Sequence, residues 1–120
     1  MAWEVEATDE YFEWFFEQSA DSQAVIQMVV ELLKTYGPHL PRPYADTLKG
    51  SKLSNLKELR SQTATHVFRV AFIFNKNRSG ILLIGGDKKG KNEKRFYKNL
   101  IKQAEEIYQL YFDKKSERKK

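Results

Sequence analysis

NLKELRSQTATHVFRVAFIFNKNRSGILLIGGDKK, residues 55–89, decides how this chain folds. Three runs in it suit strands, at 55–60, 66–74 and 81–84. Side chains alternate across a strand, so Phe68, Val70, Phe72 and Phe74 line one face of the middle run. Val67, Arg69, Ala71 and Ile73 line the other. In the first run Leu56, Glu58 and Arg60 share a face, opposite Lys57 and Leu59. Residues 75–80 are polar, with Asn and Gly where a hairpin turn needs them. The unbroken Ile-Leu-Leu-Ile of 81–84 suits a central strand covered on both faces. Into this apolar frame the sequence sets single cations. Arg60 closes the first run, Arg69 sits between Phe68 and Val70, and Lys88 follows Gly85-Gly86-Asp87. A buried, unpaired charge is strongly penalised, so these cations mark the first place to look for function.

Outward from there the chain supplies helices. Trp3–Glu6 alternates like a short strand. Thr8 is placed to cap a helix whose first turn holds Asp9 and Glu10. That helix carries Tyr11, Phe12, Trp14, Phe15 and Phe16, with Phe12, Phe15 and Phe16 expected to pack inward. Asp21 is a second candidate cap, ahead of an amphipathic helix over 22–36 built on Ile26, Val29, Val30, Leu33 and Tyr36. Gly37 and Pro38 end it. Residues 38–54 hold all three prolines and read as an ordered connector. After Asp87, Asn92 caps a last helix to about Phe112, with Tyr97, Leu100, Ile101, Ala104, Ile107, Tyr108 and Tyr111 as its apolar stripe. Residues 113–120 are expected to be a basic, disordered tail. The predicted order is β-α-α-β-β-β-α. It is an α+β fold with a small, antiparallel-rich sheet and a helical hairpin on one face, in a single domain over 1–112.

Composition narrows the chemistry. With 120 residues, 41% apolar and 31% charged, the chain matches one globular domain. It has no cysteine, so thiolate metal sites and disulfides are excluded. His39 and His66 lack metal-ligand spacing. The acidic start MAWEVEATDE is unlike a signal peptide, and no apolar run is long enough for a membrane span, which fits a cytoplasmic protein. Charge is unevenly spread. Residues 1–60 carry 6 Lys/Arg against 10 Asp/Glu, whereas residues 61–120 carry 15 against 6. A basic half is the footprint of a polyanion partner, or simply a solvated helix face.

If the helices cover one face only, Arg60 and Arg69 share the open face, with Lys88 at its edge. Three converging cations make a phosphate site, since arginine offers paired planar donors and lysine a compact charge. On RNA such a site stabilises the charge that develops during strand cleavage. Proton transfer has weaker candidates. His66 carries an imidazole, the side chain most suited to proton transfer, and as a strand-end residue it also suits a plain surface role. Glu58 could act as base or simply pair with Arg60. Tyr97 and Lys57 rank lower, Tyr97 because it falls on the apolar stripe. Lys57, Lys89, Lys91, Lys94 and Arg95 are candidate RNA contacts. Gly85-Gly86-Asp87-Lys88 is not a Walker loop, which needs a longer glycine-rich turn ending in Lys-Ser/Thr.

LKELR at 56–60, VFRVAFIF at 67–74 and ILLIGGDKKGKNEKRFY at 81–97, with GPHLPRPYADTLKGSKLSNLKELR at 37–60, resemble the RelE/ParE toxin superfamily. The closer likeness is to its HigB-type, phage-derived branch. The resemblance runs over about residues 3–112. It implies the toxin of a type II toxin–antitoxin pair, an endoribonuclease that cuts mRNA, commonly at the ribosome, without metal or cofactor. It implies a helix-turn-helix antitoxin as partner. Arg60 and Arg69 match the family's phosphate-binding strand arginines, and Lys88 matches the basic residue after the last strand. The Gly-Gly-Asp-Lys-Lys segment departs from the aromatic-and-Lys-Lys segment of the wider superfamily. Two other readings stay open on the same fold: a gyrase inhibitor of the ParE kind, and a non-toxic nucleic-acid-binding relic.

Overall fold

The structure is a computed structural model and describes residues 2–118. The chain runs β1 (Val5–Ala7), α1 (Asp9–Phe16), α2 (Ala20–Tyr36), a 3-10 turn (Gly37–His39), β2 (Ala45–Thr47), β3 (Lys57–Gln62), β4 (Val67–Phe74), β5 (Gly80–Asp87) and α3 (Glu93–Arg118). The strands form one sheet in the order β1-β5-β4-β3-β2. β1 lies parallel to β5, and every other pairing is antiparallel.

Capping explains where the helices begin. The Thr8 hydroxyl accepts from the Tyr11 N–H at 3.1 Å and donates to the Leu83 carbonyl at 2.7 Å, so one side chain starts α1 and ties it to β5. Ser19, rather than Asp21, caps α2 by accepting from the Ser22 N–H, and Asp21 falls in the first turn. Asn92 caps α3 through the Arg95 N–H, as its sequence position suggests. Gly37 ends α2 at φ 56°, a conformation that suits glycine, and a side chain there would run into the Trp3 ring.

The sheet separates two cores. On one side α1 and α2 bury Tyr11, Ile26, Val29, Val30 and Leu33 against Leu59, Phe68, Val70, Phe72 and Leu82. On the other, Phe96, Leu100 and Ala104 of α3 bury Leu56, Ala71, Ile73, Ile81 and Leu83. The face expected to stay open beneath the arginines is therefore covered by α3.

Further differences follow from packing. The connector forms a strand of its own, β2, because Ala45–Thr47 registers with Lys57–Leu59. Gly85 and Gly86 lie inside β5 instead of after it. An added Cβ at Gly85 would enter the Trp14 ring, and one at Gly86 would lie 3.1 Å from Phe96, so each glycine admits an aromatic ring onto one face of the strand. In α1, Tyr11 is the buried residue, while Phe12 and Phe16 stack on each other in solvent. α3 continues past Phe112 to Arg118, which replaces the expected disordered tail with helix over 113–118. Residues 119–120 lie outside the described residues.

Candidate functional site

The β3–β4 register sets Arg60 directly opposite Arg69. The Arg60 N–H donates away from β4, to the Tyr44 carbonyl at 2.8 Å, so this is the non-hydrogen-bonded kind of pair, in which side chains lie closest. Two like charges so placed repel. Glu58, two residues along the same face and only 2% exposed, resolves the conflict. Its Oε2 accepts from Arg60 Nε at 3.1 Å and Nη2 at 3.0 Å. Its Oε1 lies 3.5 Å from Arg69 Nε and accepts from the Tyr97 hydroxyl at 2.8 Å. Tyr97 in turn accepts from Arg69 Nε at 3.1 Å, and Arg69 Nη1 donates to the Phe68 carbonyl at 2.9 Å. A buried carboxylate thus fixes two guanidinium planes and one phenol.

The remaining donors point outward. Among the described residues, Arg60 Nη1 and Arg69 Nη2 take part in none of these bonds. Both arginines border a cleft of about 370 Å³ that Tyr44, Ser61 and Gln62 share with Val25 and Met28 of α2. Lys88 joins from the end of β5, its Nζ 5.6 Å from the Tyr97 ring centroid and 2.8 Å from Glu93 Oε1. Glu93 is well exposed, so that pair is weak and easily exchanged for another anion. Asp46 approaches Arg60 Nη2 at 3.5 Å and Arg42 at 2.9 Å.

The electrostatics follow these contacts. Burial would lower the Arg60 pKa, but the hydrogen bond and charge of Glu58 raise it, so Arg60 stays a cation. Burial raises the Tyr97 pKa; the Arg69 hydrogen bond opposes this, the Glu58 bond adds to it, and the phenol keeps its proton at neutral pH. Tyr97 is therefore a donor. Glu58, enclosed and bonded at both oxygens, positions its neighbours and does not meet a ligand. The Thr47 N–H holds the Asp46 carboxyl low against partial burial, with help from Arg42 and Arg60.

Other candidates lie elsewhere. His66 stacks on Phe68, on the α1–α2 side of the sheet, and its Nδ1 bonds the Asp87 carboxylate. It is not brought to the arginines. Asp87 also accepts from the Val67 and Lys89 N–H groups. Burial alone would raise its pKa, but these bonds, led by His66, hold it below the ordinary value. Lys57 faces the α1–α2 side, like Leu59. Lys89, Lys91, Lys94 and Arg95 are exposed. Of these, Lys91 and Arg95 line a separate cleft on the other flank of α3. Tyr97, a low-ranked candidate in the sequence, is brought into contact with Arg69 and Glu58. Its signal was its proximity to the cationic segment, at the polar end of an otherwise apolar stripe. No group of three or more His, Cys, Asp or Glu side chains suited to a metal occurs among the described residues.

A family model for phage-derived Gp49-like proteins (DUF891) matches residues 13–109. The chain belongs to this family. The matched span includes Glu58, Arg60, Arg69, Lys88 and Tyr97. A relative named as toxin HigB3 of Mycobacterium tuberculosis is 41% identical over 93 residues, covering 78% of this chain and 79% of that protein. Another, named as toxin HigB2 of the same organism, is 34% identical over 97 residues; the match takes in 79% of this chain and 47% of the relative. This Gp49-like chain therefore spans about half the length of HigB2. Among solved structures, a mutant of the Escherichia coli toxin RelE in the free state superposes with a TM-score of 0.60 at 8% identity, covering 84% of this chain and 95% of that one. A chain of the RelE–RelB complex of Pyrococcus horikoshii gives 0.56 at 16%, covering 76% and 100%. A chain of the RelBE2 toxin–antitoxin complex of M. tuberculosis gives 0.53 at 12%, covering 72% and 99%. At these identities the likeness is one of fold. Together the matches place the Gp49-like chain among HigB-type relatives, with a fold like that of RelE. No helix among the described residues is long and apolar enough to cross a membrane.

Proposed function

We propose that this chain is the toxin of a type II toxin–antitoxin pair and acts in the cytoplasm as a metal-independent endoribonuclease on mRNA, engaged at the ribosome. The observation that carries the reading is the Glu58-centred cluster. It holds Arg60 and Arg69 in fixed orientation, keeps Tyr97 protonated beside Arg69, and leaves one terminal nitrogen of each guanidinium outside its hydrogen bonds. Donors fixed in advance stabilise developing charge without reorganising during reaction. In this account Arg60 and Lys88 bind the scissile phosphate. Arg69 neutralises the charge that builds as the ribose 2′-oxygen attacks phosphorus. The 2′-hydroxyl gives its proton to water as its oxygen bonds phosphorus, and the departing 5′-oxygen takes one from water; Tyr97, whose own O–H is donated to Glu58 Oε1, holds Arg69 Nε in place. The partner is an antitoxin. RelE chains of this fold are solved in complex with RelB.

Growth arrest on induction tests the reading. Arg60→Ala and Lys88→Ala should abolish arrest, and Lys88→Ala leaves the buried cluster untouched, since its partner Glu93 is exposed. Arg60→Ala and Arg69→Ala each strip the buried Glu58 carboxylate of a partner, so each is read beside its own unfolding midpoint. Arrest that persists unchanged in Arg60→Ala would reject the assignment. A second reading, RNA binding without cleavage, is favoured by one observation: the imidazole best suited to proton transfer, His66, stands on the opposite side of the sheet. It predicts salt-sensitive RNA binding with no new RNA ends. Inhibition of DNA supercoiling by purified protein would instead point to a gyrase inhibitor.

A further inference from the structure

β5 lacks a strand neighbour over its last residues. β1 registers only with Gly80–Leu82, and Thr8 closes the corner by bonding the carbonyls of Leu82 and Leu83. Beyond that point no strand among the described residues pairs with β5 on this side. The ladder with β4 fixes which groups face outward. The Lys88 N–H donates to the Val67 carbonyl at 2.7 Å, and Arg69 registers with Gly86. By the alternation of antiparallel pairs, Gly85 and Asp87 turn their N–H and C=O groups away from β4 toward the free edge.

Such an edge is a template for another strand, and folds usually blunt it with charge, proline or a covering element. Here a groove runs along it between α1 and α3. At one end it is a cleft of about 620 Å³ bearing Lys91 and Arg95. At the other it is a cleft of about 400 Å³ bearing Glu13, Glu17 and Glu106. Both clefts share Trp14 and Gly85. The groove is therefore dipolar. The Asp87 carboxylate, at the basic end, is already taken up by His66 and two backbone N–H groups. Single-stranded RNA fits poorly, because Glu13, Glu17 and Glu106 repel its backbone along one end of the groove, beside the Trp14 ring that lines both clefts. An extended polypeptide of matching charge satisfies both the backbone donors and the dipole.

We propose that the edge of β5 from Gly85 to Asp87 takes up an extended segment of a partner polypeptide as an added strand, with the segment's acidic residues at Lys91 and Arg95 and its basic residues at Glu13, Glu17 and Glu106. Naming that partner as the antitoxin rests on the toxin reading; the chemistry of the groove does not. The test uses the full chain and a short synthetic peptide of alternating Val and Thr, with Asp at one end and Lys at the other. Amide exchange at Gly85 and Asp87 should slow about tenfold or more when the peptide is bound. Exchange inside β4 should not change. A peptide with proline at its centre should give no protection, and Glu13→Lys with Glu17→Lys should weaken binding about tenfold, the scale of one or two charge contacts. Unchanged exchange at Gly85 and Asp87 under excess peptide overturns the proposal. So does protection of the same amides by single-stranded RNA. An RNA-cleavage assay on the same preparation separates the two readings: protection without cleavage keeps the groove and removes the nuclease, and cleavage without protection does the reverse.

Discussion

Glu58 is the residue on which the site depends. Two arginines face each other across a β-ladder, an arrangement that repels, and one buried carboxylate joins them. Removing one partner from a buried charge network costs about 3–5 kcal/mol. Glu58→Ala is therefore expected to lower stability by that order, read as a shift in the urea midpoint. Glu58→Gln, which can still accept from Tyr97, should cost less. If Glu58→Ala unfolds at the wild-type midpoint, the carboxylate is not what holds the arginines. In the sequence Glu58 and Arg60 share a face, which suits a structural partner better than a base. Burial at both oxygens selects the partner. His66 and Asp87 carry a second residue-scale prediction. The folded-state pKa of Asp87 is lowered, so its contribution to stability is complete above the ordinary carboxylate value of about 3.9 and is lost as pH falls below it. Wild type should lose more stability than Asp87→Asn between pH 5 and pH 3, measured by urea unfolding at each pH. Equal losses would mean that the bond to His66 contributes nothing.

At the scale of elements, β5 shows how much was legible. The run Ile81–Ile84 reads as a strand covered on both faces, and it is one. That reading already conflicted with an arrangement that left one face open, and the conflict pointed to α3 as the second cover. Alternation in 66–74 assigned every β4 side chain to its correct face. The glycines were misjudged because Gly-Gly ordinarily ends a strand; here the reason for them lies in another part of the chain, the Trp14 and Phe96 rings that each glycine admits. The face of α1 was misjudged for a related reason. Five aromatics in one short helix satisfy several stripes, and only the position of Thr8 on β5 settles that Tyr11 turns inward. Gly85→Ala should therefore destabilise by about 1–3 kcal/mol through overpacking against Trp14. Gly86→Ala should cost less, since its neighbour need yield only slightly. Thermal melts of the two variants decide the order. A Gly85→Ala protein as stable as wild type would show that Trp14 does not occupy that space.

For the whole molecule, charge and fold divide the work. The basic second half builds β4, β5 and α3, but its cations do not form one patch. Lys88 joins the arginine cluster, whereas Lys91 and Arg95 lie on the other flank of α3, beside the free edge of β5. RNA affinity should accordingly fall with salt at a slope of about 0.7 per phosphate neutralised, and Arg60→Ala should reduce that slope by about one contact. Binding that ignores salt would show that phosphate is not what the chain recognises. Primer extension on an mRNA being translated in the presence of purified protein tests the central claim most directly. Wild type should create new RNA ends within the translated frame. Folded Arg60→Ala should create them at least about 100-fold more slowly, the scale expected when one preset donor to the transition state is lost. Cleavage by Arg60→Ala at the wild-type rate would contradict the account.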